Sequence, residues 1–322
     1  MPSPAESLHA LHVAGLLRQQ RPLDSPTGTQ VTRDGRTLWN FASNDYLGLA
    51  RHPQIEAALI EGVQRYGAGS AASRLVCGTL PPHRLLEEAL AAAKQTEAAL
   101  TFSSGFATAI GAIPAIVGKS DFILLDKLSH ACLVDAARLS GATLRIFPHN
   151  DLEKLARLLA STRAKSADAR ILVVTESVFS MDGDVCPLRE IVGLTEDYDA
   201  LLLVDEAHGF GVLGENGMGL AEQESLQQRI PFQMGTLSKA AGLSGGYLAA
   251  SRELIDLLTN RARSFIYSTA PPPALAHAAL ASLDLIRSDE GKTLRQQLRR
   301  NISLISNSPT PIIPIVLGSN EA

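Results

Sequence analysis

The chain has 322 residues, of which 45% are hydrophobic and 19% charged, with a formal net charge of -4 at pH 7. Such a composition is typical of a globular protein with a large core, and the acidic balance argues against nucleic acid as a partner. Three widely spaced cysteines predict neither a disulfide framework nor a metal site, and no apolar run is long enough for a signal peptide or a membrane span, so we expect a cytoplasmic location without a membrane partner.

In chain order, the sequence predicts an amino-terminal arm over 1–45, a large domain over 46–287 and an incomplete small α+β domain over 288–322. The large domain contains short apolar runs of strand length, separated mostly by helical stretches: 99–102, 122–126, 143–147, 171–175, 201–205 and 247–250. This alternation predicts an α/β fold with three layers, α/β/α, around a mostly parallel sheet. A further strand is expected at 311–317, with an exposed edge.

Lys239 ends the run Gly-Thr-Leu-Ser-Lys and is followed by small residues through Gly246. A lysine attacks a carbonyl only when its surroundings lower its pKa, and small neighbours would let a flat ring lie close to the backbone. Asp205 ends an apolar strand at the sheet edge where α/β proteins bind ligands, and it could hold a proton on the ring nitrogen of pyridoxal phosphate, with His208 near the ring hydroxyl. The alternative is a helix-capping aspartate and a surface lysine.

Four further segments supply candidate ligands for the same pocket. Ser104 and Gly105 stand between a strand and a helix, where free backbone amides would bind a phosphate. His130 follows another strand and could stack on a pyridine ring, Ser180 could reach the ring oxygen, and Asn44 could bind a substrate carboxylate. Ordinary helix caps and polar turns are the alternatives for these segments.

A nucleotide hydrolase is the rival interpretation, because the run 202–208 also resembles the metal-binding strand of a helicase-like ATPase. Gly118-Lys-Ser superficially offers a phosphate loop, but the glycine required five positions earlier is Ile113. Lys119 and Ser120 also lead into a predicted strand, whereas a phosphate loop opens a helix. The pattern therefore disfavours this function.

Six ordered motifs together resemble the α-oxoamine synthases, which are fold-type I pyridoxal phosphate enzymes. The motifs lie at 43–48, 69–78, 128–130, 178–184, 204–209 and 236–239. The resemblance runs from about residue 16 to the end and implies an acyltransferase that joins an amino acid to an acyl thioester with loss of carbon dioxide. The segments 147–151, 267–269 and 286–291 and the residue Ser73 favour members that condense L-alanine with a pimeloyl thioester, carried by CoA or acyl carrier protein, in biotin biosynthesis. Members of the glycine C-acetyltransferase or aminolevulinate synthase type remain alternatives.

The resemblance assigns a role to each matching residue. Lys239 would form the Schiff base and remove the Cα proton, His130 would stack on the ring, and Asp205 would pair with the ring nitrogen. His208 and Ser180 would contact the ring oxygen. The cofactor phosphate would be bound by Ser104, Gly105, Phe106 and Thr236, and Ser268 and Thr269 would reach the phosphate of the partner subunit in a homodimer. The substrate would be bound by Arg18, Asn44, Ser73 and His130.

Family members usually continue past the point that matches Ala322, and the resemblance places a substrate-binding arginine in that segment. This difference supports a third hypothesis, in which the chain binds the cofactor without turnover or serves as a catalytically inactive scaffold. We still expect the synthase activity, because every motif that would touch the cofactor is present.

Overall fold

The computed structural model describes residues 2–25 and 28–318. The chain divides into two compact units, each with most of its contacts within itself. One comprises Met1–Ser43 with Ile313–Ala322, and the other comprises Asn44–Ile312. The domain boundaries predicted after residues 45 and 287 stay predictions.

The first unit has little core of its own. Helix α1 (Pro4–Val13) begins at Ser3, whose hydroxyl accepts a hydrogen bond from the Glu6 amide at 3.2 Å while the Glu6 carboxylate accepts one from the Ser3 amide at 2.7 Å. None of its residues is buried. Strands β1 (Gln30–Arg33) and β2 (Arg36–Trp39) form an antiparallel hairpin whose turn residues, Asp34 and Gly35, have positive φ values of 51° and 69°.

The prediction of a strand at 311–317 is wrong, because residues 312–317 form neither a helix nor a strand. Pro314 has no amide hydrogen to donate to a neighbouring strand, so the segment is a poor sheet member despite its apolar residues. Ile315, Val316 and Leu317 are all exposed.

A seven-stranded sheet forms the centre of the second unit, in the order β3-β9-β8-β7-β6-β4-β5. The strands are β3 (Ala98–Phe102), β4 (Phe122–Asp126), β5 (Thr143–Phe147), β6 (Ile171–Glu176), β7 (Leu201–Asp205), β8 (Phe232–Thr236) and β9 (Gly246–Ala250). Only β9 runs against its neighbours, pairing antiparallel with both β3 and β8. The predicted mostly parallel sheet is confirmed, and β8 is an addition that the sequence pattern did not reveal.

Helices cover both faces of the sheet, which confirms the predicted three layers. The helices of this unit are α2 (Pro53–Tyr66), α3 (Arg74–Cys77), α4 (Pro81–Lys94), α5 (Gly105–Ile116), α6 (Ala131–Ser140), α7 (Leu152–Lys165), α8 (Leu188–Asp197), α9 (Leu220–Gln223), α10 (Arg252–Arg261), α11 (Arg263–Ile266), α12 (Pro273–Arg287) and α13 (Asp289–Ser303). Two separate apolar cores result: α5, α6, α10 and α11 contribute to one, and α2, α4, α7, α8 and α12 to the other.

Strand β7 shows how the sequence creates two cores. Its buried side chains alternate between the faces, with Leu202 and Val204 in one core and Leu203 in the other. A strand that is apolar on both faces must be covered on both faces, and β7, in the middle of the sheet, has a core on each side. Among the helices in the described part of the chain, none has the length and apolarity required to cross a bilayer.

Candidate active site

The carboxyl ends of the parallel strands β6, β7 and β8 meet at a cavity of about 150 Å³, as expected for an open α/β sheet. The residues that line it come from these ends and from the segments that follow β3, β4, β7 and β8: Gly105, Phe106, His130, Cys132, Glu176, Asp205, Ala207, His208, Met234, Thr236 and Lys239. The structure therefore brings together seven of the predicted site residues.

Lys239 projects its amine into this cavity, where Nζ lies 2.7 Å from His208 Nε2. Burial lowers the pKa of Lys239, while the carboxyl groups of Asp205 and Glu176 act in the opposite direction. A lowered pKa increases the fraction of neutral amine at pH 7, and the neutral amine is the nucleophile. The predicted surface location of Lys239 in the alternative interpretation is wrong.

The small residues after Lys239 pack against the backbone of other segments. A Cβ atom on Gly242 would lie 2.4 Å from the Ala50 nitrogen, and one on Gly246 would lie 2.6 Å from the Gly105 nitrogen. Ala240 and Ala241 are buried and are not among the cavity-lining residues. The absence of side chains at Gly242 and Gly246 therefore permits this close packing, and the predicted contact of these small residues with a flat ring stays a prediction.

Asp205 ends β7 at the floor of the cavity and is 4% exposed. Its Oδ1 accepts a hydrogen bond from the Ala207 amide at 2.9 Å. Burial raises the pKa of Asp205, and the positive charge of Lys239 is the largest opposing influence. The carboxyl group thus has a polar partner on one side and faces the cavity with the other, which suits it to pair with a cationic ligand group.

Glu176 is a second buried carboxyl group in this cavity, and the sequence interpretation missed it. It ends β6 directly opposite Asp205 in the sheet register and accepts a hydrogen bond from the His130 amide. Burial raises the pKa of Glu176 to about 8, and the neighbouring Asp205 adds to the shift. A carboxyl group at the end of a strand that is buried throughout, and apolar up to Thr175, was the local signal that could have identified it.

His208 links Lys239 to two residues that lie far away in sequence. Its Nδ1 is 2.7 Å from the hydroxyl of Tyr46, and that hydroxyl donates to Asn44 Oδ1 at 3.2 Å. The Tyr46 oxygen therefore accepts from His208 Nδ1, which leaves Nε2 free to accept from Lys239. Burial, with Lys239 and His130 nearby, lowers the pKa of His208 to about 3, so the ring is neutral at pH 7.

His130 is held at the start of α6. Its Nδ1 accepts a hydrogen bond from the Cys132 amide at 3.2 Å and lies 3.0 Å from Cys132 Sγ. Because Nδ1 is an acceptor, the ring proton is on Nε2 in the neutral form. The ring lines the cavity, as the predicted stacking role requires.

The amino terminus of α5 also faces the cavity through Gly105 and Phe106. Ser104 caps this helix, its Oγ accepting from the Ala107 amide at 3.0 Å, and the side chain is not among those that line the cavity. The Thr236 hydroxyl donates to the Gly245 carbonyl at 2.8 Å. Free amides at the start of a twelve-residue helix form a binding site for an anion.

Ser180 lies on a short hairpin that follows β6, closed by an antiparallel bridge between Val178 and Val185. The structure does not place Ser180 among the cavity-lining residues, so its contact with a ring oxygen stays a prediction. Within the hairpin, the Phe179 amide donates to the Asp184 carbonyl at 3.1 Å.

A histidine fixes this hairpin to the end of β4. His149 Nδ1 lies 2.9 Å from Asp126 Oδ1 and His149 Nε2 lies 2.7 Å from Asp184 Oδ2. The Asn150 amide donates to the same Asp126 carboxylate at 2.9 Å. We call Asp126, His149 and Asp184 the brace, and it gives a structural role to the segment 147–151.

The other predicted substrate and cofactor residues lie elsewhere. Ser73 caps α3, its Oγ accepting from the Leu75 amide at 3.3 Å. The Ser268 hydroxyl donates to the Thr269 carbonyl at 3.2 Å, and neither residue lines the cavity. Arg18 belongs to the first compact unit, between α1 and β1. The roles of these four residues stay predictions.

The rival phosphate loop is not formed. The Gly118 amide donates to Asp121 Oδ2 at 2.9 Å, which makes a turn that leads into β4. No helix begins at Lys119 or Ser120, so this segment offers no helix amino terminus to a nucleotide phosphate. Across the residues that the structure describes, no group of histidine, cysteine and carboxylate side chains is placed to hold a metal ion.

Comparison with known proteins identifies the family. The model of the family "Aminotransferase class I and II" matches residues 36–308. A protein named 8-amino-7-oxononanoate synthase from Geobacter sulfurreducens is 49% identical over 98% of this chain and 83% of its own length, and proteins of the same name from Geobacter metallireducens and Bordetella petrii are 47% and 46% identical.

Solved structures agree with this result. Serine palmitoyltransferase from S. paucimobilis, whose structure contains bound PLP, superposes with a TM-score of 0.85 at 29% identity, covering 92% of this chain and 74% of that one. 8-Amino-7-oxononanoate synthase from Francisella tularensis superposes with a TM-score of 0.70 at 30% identity, covering 82% and 72%. The chain therefore belongs to the aminotransferase class I and II family and, within it, to the α-oxoamine synthases that its motifs predicted.

Proposed function

We propose that this chain catalyses the pyridoxal phosphate-dependent condensation of L-alanine with a pimeloyl thioester, which yields 8-amino-7-oxononanoate, carbon dioxide and a free thiol for biotin biosynthesis. The names of relatives that are 45–49% identical over nearly the whole chain support this reaction. The observation that carries the proposal is the single cavity in which the Lys239 amine, the Asp205 carboxyl group and the amino terminus of α5 meet.

These three features match the three functional groups of the cofactor. A buried amine suits its aldehyde, a buried carboxylate suits its ring nitrogen, and the first amides of α5 with Thr236 suit its phosphate. When bound, pyridoxal phosphate supplies an aldehyde that captures the substrate amine and a ring that withdraws electrons from the substrate Cα.

The side chains of this chain would then bind the substrate and transfer its proton. Lys239 would be the base that accepts the Cα proton, because its lowered pKa favours the neutral amine. His208 is neutral and within hydrogen-bonding distance of Lys239, so it orients the amine without competing for the proton. Asp205 would hold a proton on the ring nitrogen, and His130 would stack on the ring.

The specific partners are also part of the proposal. Asn44 receives a hydrogen bond from Tyr46 in the chain that leads to Lys239, which supports a place near the alanine carboxylate. A homodimer is supported by large apolar side chains that stay exposed. Val76, at 78%, and Tyr267, at 72%, lie within three residues of Ser73 and Ser268 in the sequence, and Phe106, at 51%, lines the cavity. A cytoplasmic location is consistent with three free cysteines.

The test is a substrate series on the purified chain loaded with pyridoxal phosphate. We expect a visible absorbance band, a shift of that band with L-alanine that exceeds the shift with glycine or L-serine, and a product of the mass of 8-amino-7-oxononanoate when pimeloyl-CoA is added. Turnover with glycine and not with alanine would overturn the substrate assignment. A shift without product from either thioester donor would indicate the cofactor-binding chain without turnover.

A further inference from the structure

Two carboxyl groups share the floor of the cavity. Glu176 and Asp205 are register partners on the neighbouring parallel strands β6 and β7, and they are 2% and 4% exposed. Adjacent strands lie about 4.8 Å apart, and register partners point to the same face of a sheet. The two carboxyl groups therefore face the same cavity.

Two carboxylates at such a spacing in a buried site do not both ionise readily, because each disfavours the charge of the other. The groups that act on Glu176 are the carboxyl groups of Asp205 and Asp126, which favour its neutral form, and Lys239 and the His130 amide, which favour its anion. Burial dominates and raises the pKa of Glu176 to about 8. Burial also raises the pKa of Asp205, but Lys239 is the largest influence that favours the Asp205 anion, whereas the charge of Asp205 raises the pKa of Glu176 further. We therefore assign one proton held by the pair to Glu176.

Glu176 also determines where the His130 ring lies. Its carboxyl oxygen accepts the His130 amide, 46 residues away in sequence, at the residue that caps α6. From the α6 side, the Cys132 amide and thiol contact the Nδ1 of the same ring. The backbone and the ring of His130 are therefore fixed from two separate elements, β6 and α6.

We propose that Glu176 is a positioning residue, whose neutral carboxyl group holds His130 over the cavity and leaves Asp205 as the only anion beside the ring nitrogen. This inference rests on the proposed function and deepens it, because it adds to the site a residue that acts through its hydrogen bond to the His130 amide. A carboxamide has the same shape as a neutral carboxyl group, keeps an acceptor oxygen for the His130 amide and carries no charge. Glutamine at position 176 should therefore keep the positioning role, and alanine should lose it.

The experiment compares Glu176→Gln, Glu176→Ala and the control Glu222→Ala in the full chain. Glu222 is a carboxylate that also accepts backbone amides, those of Asn216 and Met218, outside the cavity. We expect Glu176→Gln to keep the dissociation constant of pyridoxal phosphate within about twofold of wild type and Glu176→Ala to weaken it by about tenfold, with a reduced visible circular dichroism signal. Glu222→Ala should lower the melting temperature and leave both cofactor signals unchanged.

A second measurement uses the cofactor-free protein. A carboxyl group whose pKa is raised on folding contributes stability below its unfolded pKa, and that contribution is lost as the pH rises through the folded pKa of about 8. Glutamine does not titrate, so the melting temperature of Glu176→Gln relative to wild type should increase between about pH 5.5 and about pH 8.5.

Damage to cofactor binding by Glu176→Gln equal to that by Glu176→Ala, together with a relative melting temperature that does not change with pH, would overturn the proposal by showing that an anion is needed. Wild-type binding by Glu176→Ala would overturn it as well. A wild-type chain that shows no visible band with pyridoxal phosphate would contradict the proposed function instead, while the cofactor-free melting temperatures would still decide the protonation state of Glu176.

Discussion

The cavity and the brace are two carboxylate and histidine clusters at the same edge of one sheet, and they have opposite electrostatic properties. In the brace, His149 lies between Asp126 and Asp184, and hydrogen bonds to these carboxylates raise its pKa in spite of burial. In the cavity, burial and the neighbouring Lys239 and His130 lower the pKa of His208 to about 3.

The difference shows that strand-end location and residue type do not by themselves make a reactive site. In the brace, the histidine has a carboxylate at each nitrogen, so its charge is compensated and it holds the structure together. In the cavity, carboxyl groups face one another, and a histidine faces a lysine, so protonation states are shifted toward neutral forms that can exchange protons with a ligand. The following predictions would sharpen or break this distinction.

The largest effect is expected from Asp205→Asn in the cavity. The amide keeps the shape but cannot stabilise a charged ring nitrogen, so we expect turnover to fall by about 10³-fold. The melting temperature of the cofactor-free chain should change little, since the brace and both cores are untouched. Near-normal turnover in the steady-state assay would contradict the assigned role of this residue.

The brace should affect stability rather than the chemistry. His149→Ala leaves the buried Asp126 and the hairpin carboxylate of Asp184 without their shared partner, and we expect the free energy of unfolding to fall by about 2–3 kcal/mol in urea denaturation. His277→Ala is a matched control, because that side chain has a similar exposure of 21% but its carboxylate partner Glu61 is exposed and 3.7 Å away. Its loss should cost less than about 1 kcal/mol. Equal losses in the two variants would contradict the brace.

The pH dependence of stability should have opposite signs for the two histidines, His149 in the brace and His208 in the cavity. His149 has a raised pKa, so its contribution is present below pH 6.5 and is lost as the pH rises through its folded pKa. His208 has a pKa lowered from 6.5 to about 3, so the folded state loses stability as the pH falls between these values. Relative to wild type, His208→Gln should therefore gain stability on acidification, and His149→Gln should gain on alkalinisation. Denaturation curves at several pH values for wild type and the two variants measure these changes. A change of the same sign in both variants would contradict this difference.

Much of the site was predictable because the critical side chains follow apolar strands. Asp205, His130 and the start of α5 were identified from the residues at which strands end, and the structure brings them together with Lys239. Tyr46 and Glu176 were missed because their roles depend on contacts between distant residues. Tyr46 meets His208 across 162 residues, and Glu176, although it ends a buried strand, meets Asp205 only through strand pairing.

The errors in the fold have physical causes as well. Strand β8 contains Gln233 and Gly235, which weaken its strand signal, although both are buried between β7 and β9. Gln233 donates to the carbonyl of Lys94 at 3.1 Å, a bond that no local pattern reveals. The segment 311–317 has a strand-like composition, but Pro314 has no amide hydrogen to donate. The segment also has no pairing partner among the described residues.

The central claim is that the Lys239 amine is the group that bonds covalently to the cofactor aldehyde. Borohydride reduction of the chain loaded with pyridoxal phosphate, followed by peptide mass mapping, tests it most directly. We predict one modified peptide, with the added mass on Lys239. An unmodified Lys239 under conditions in which the protein binds the cofactor, or modification mainly at another lysine, would contradict the account.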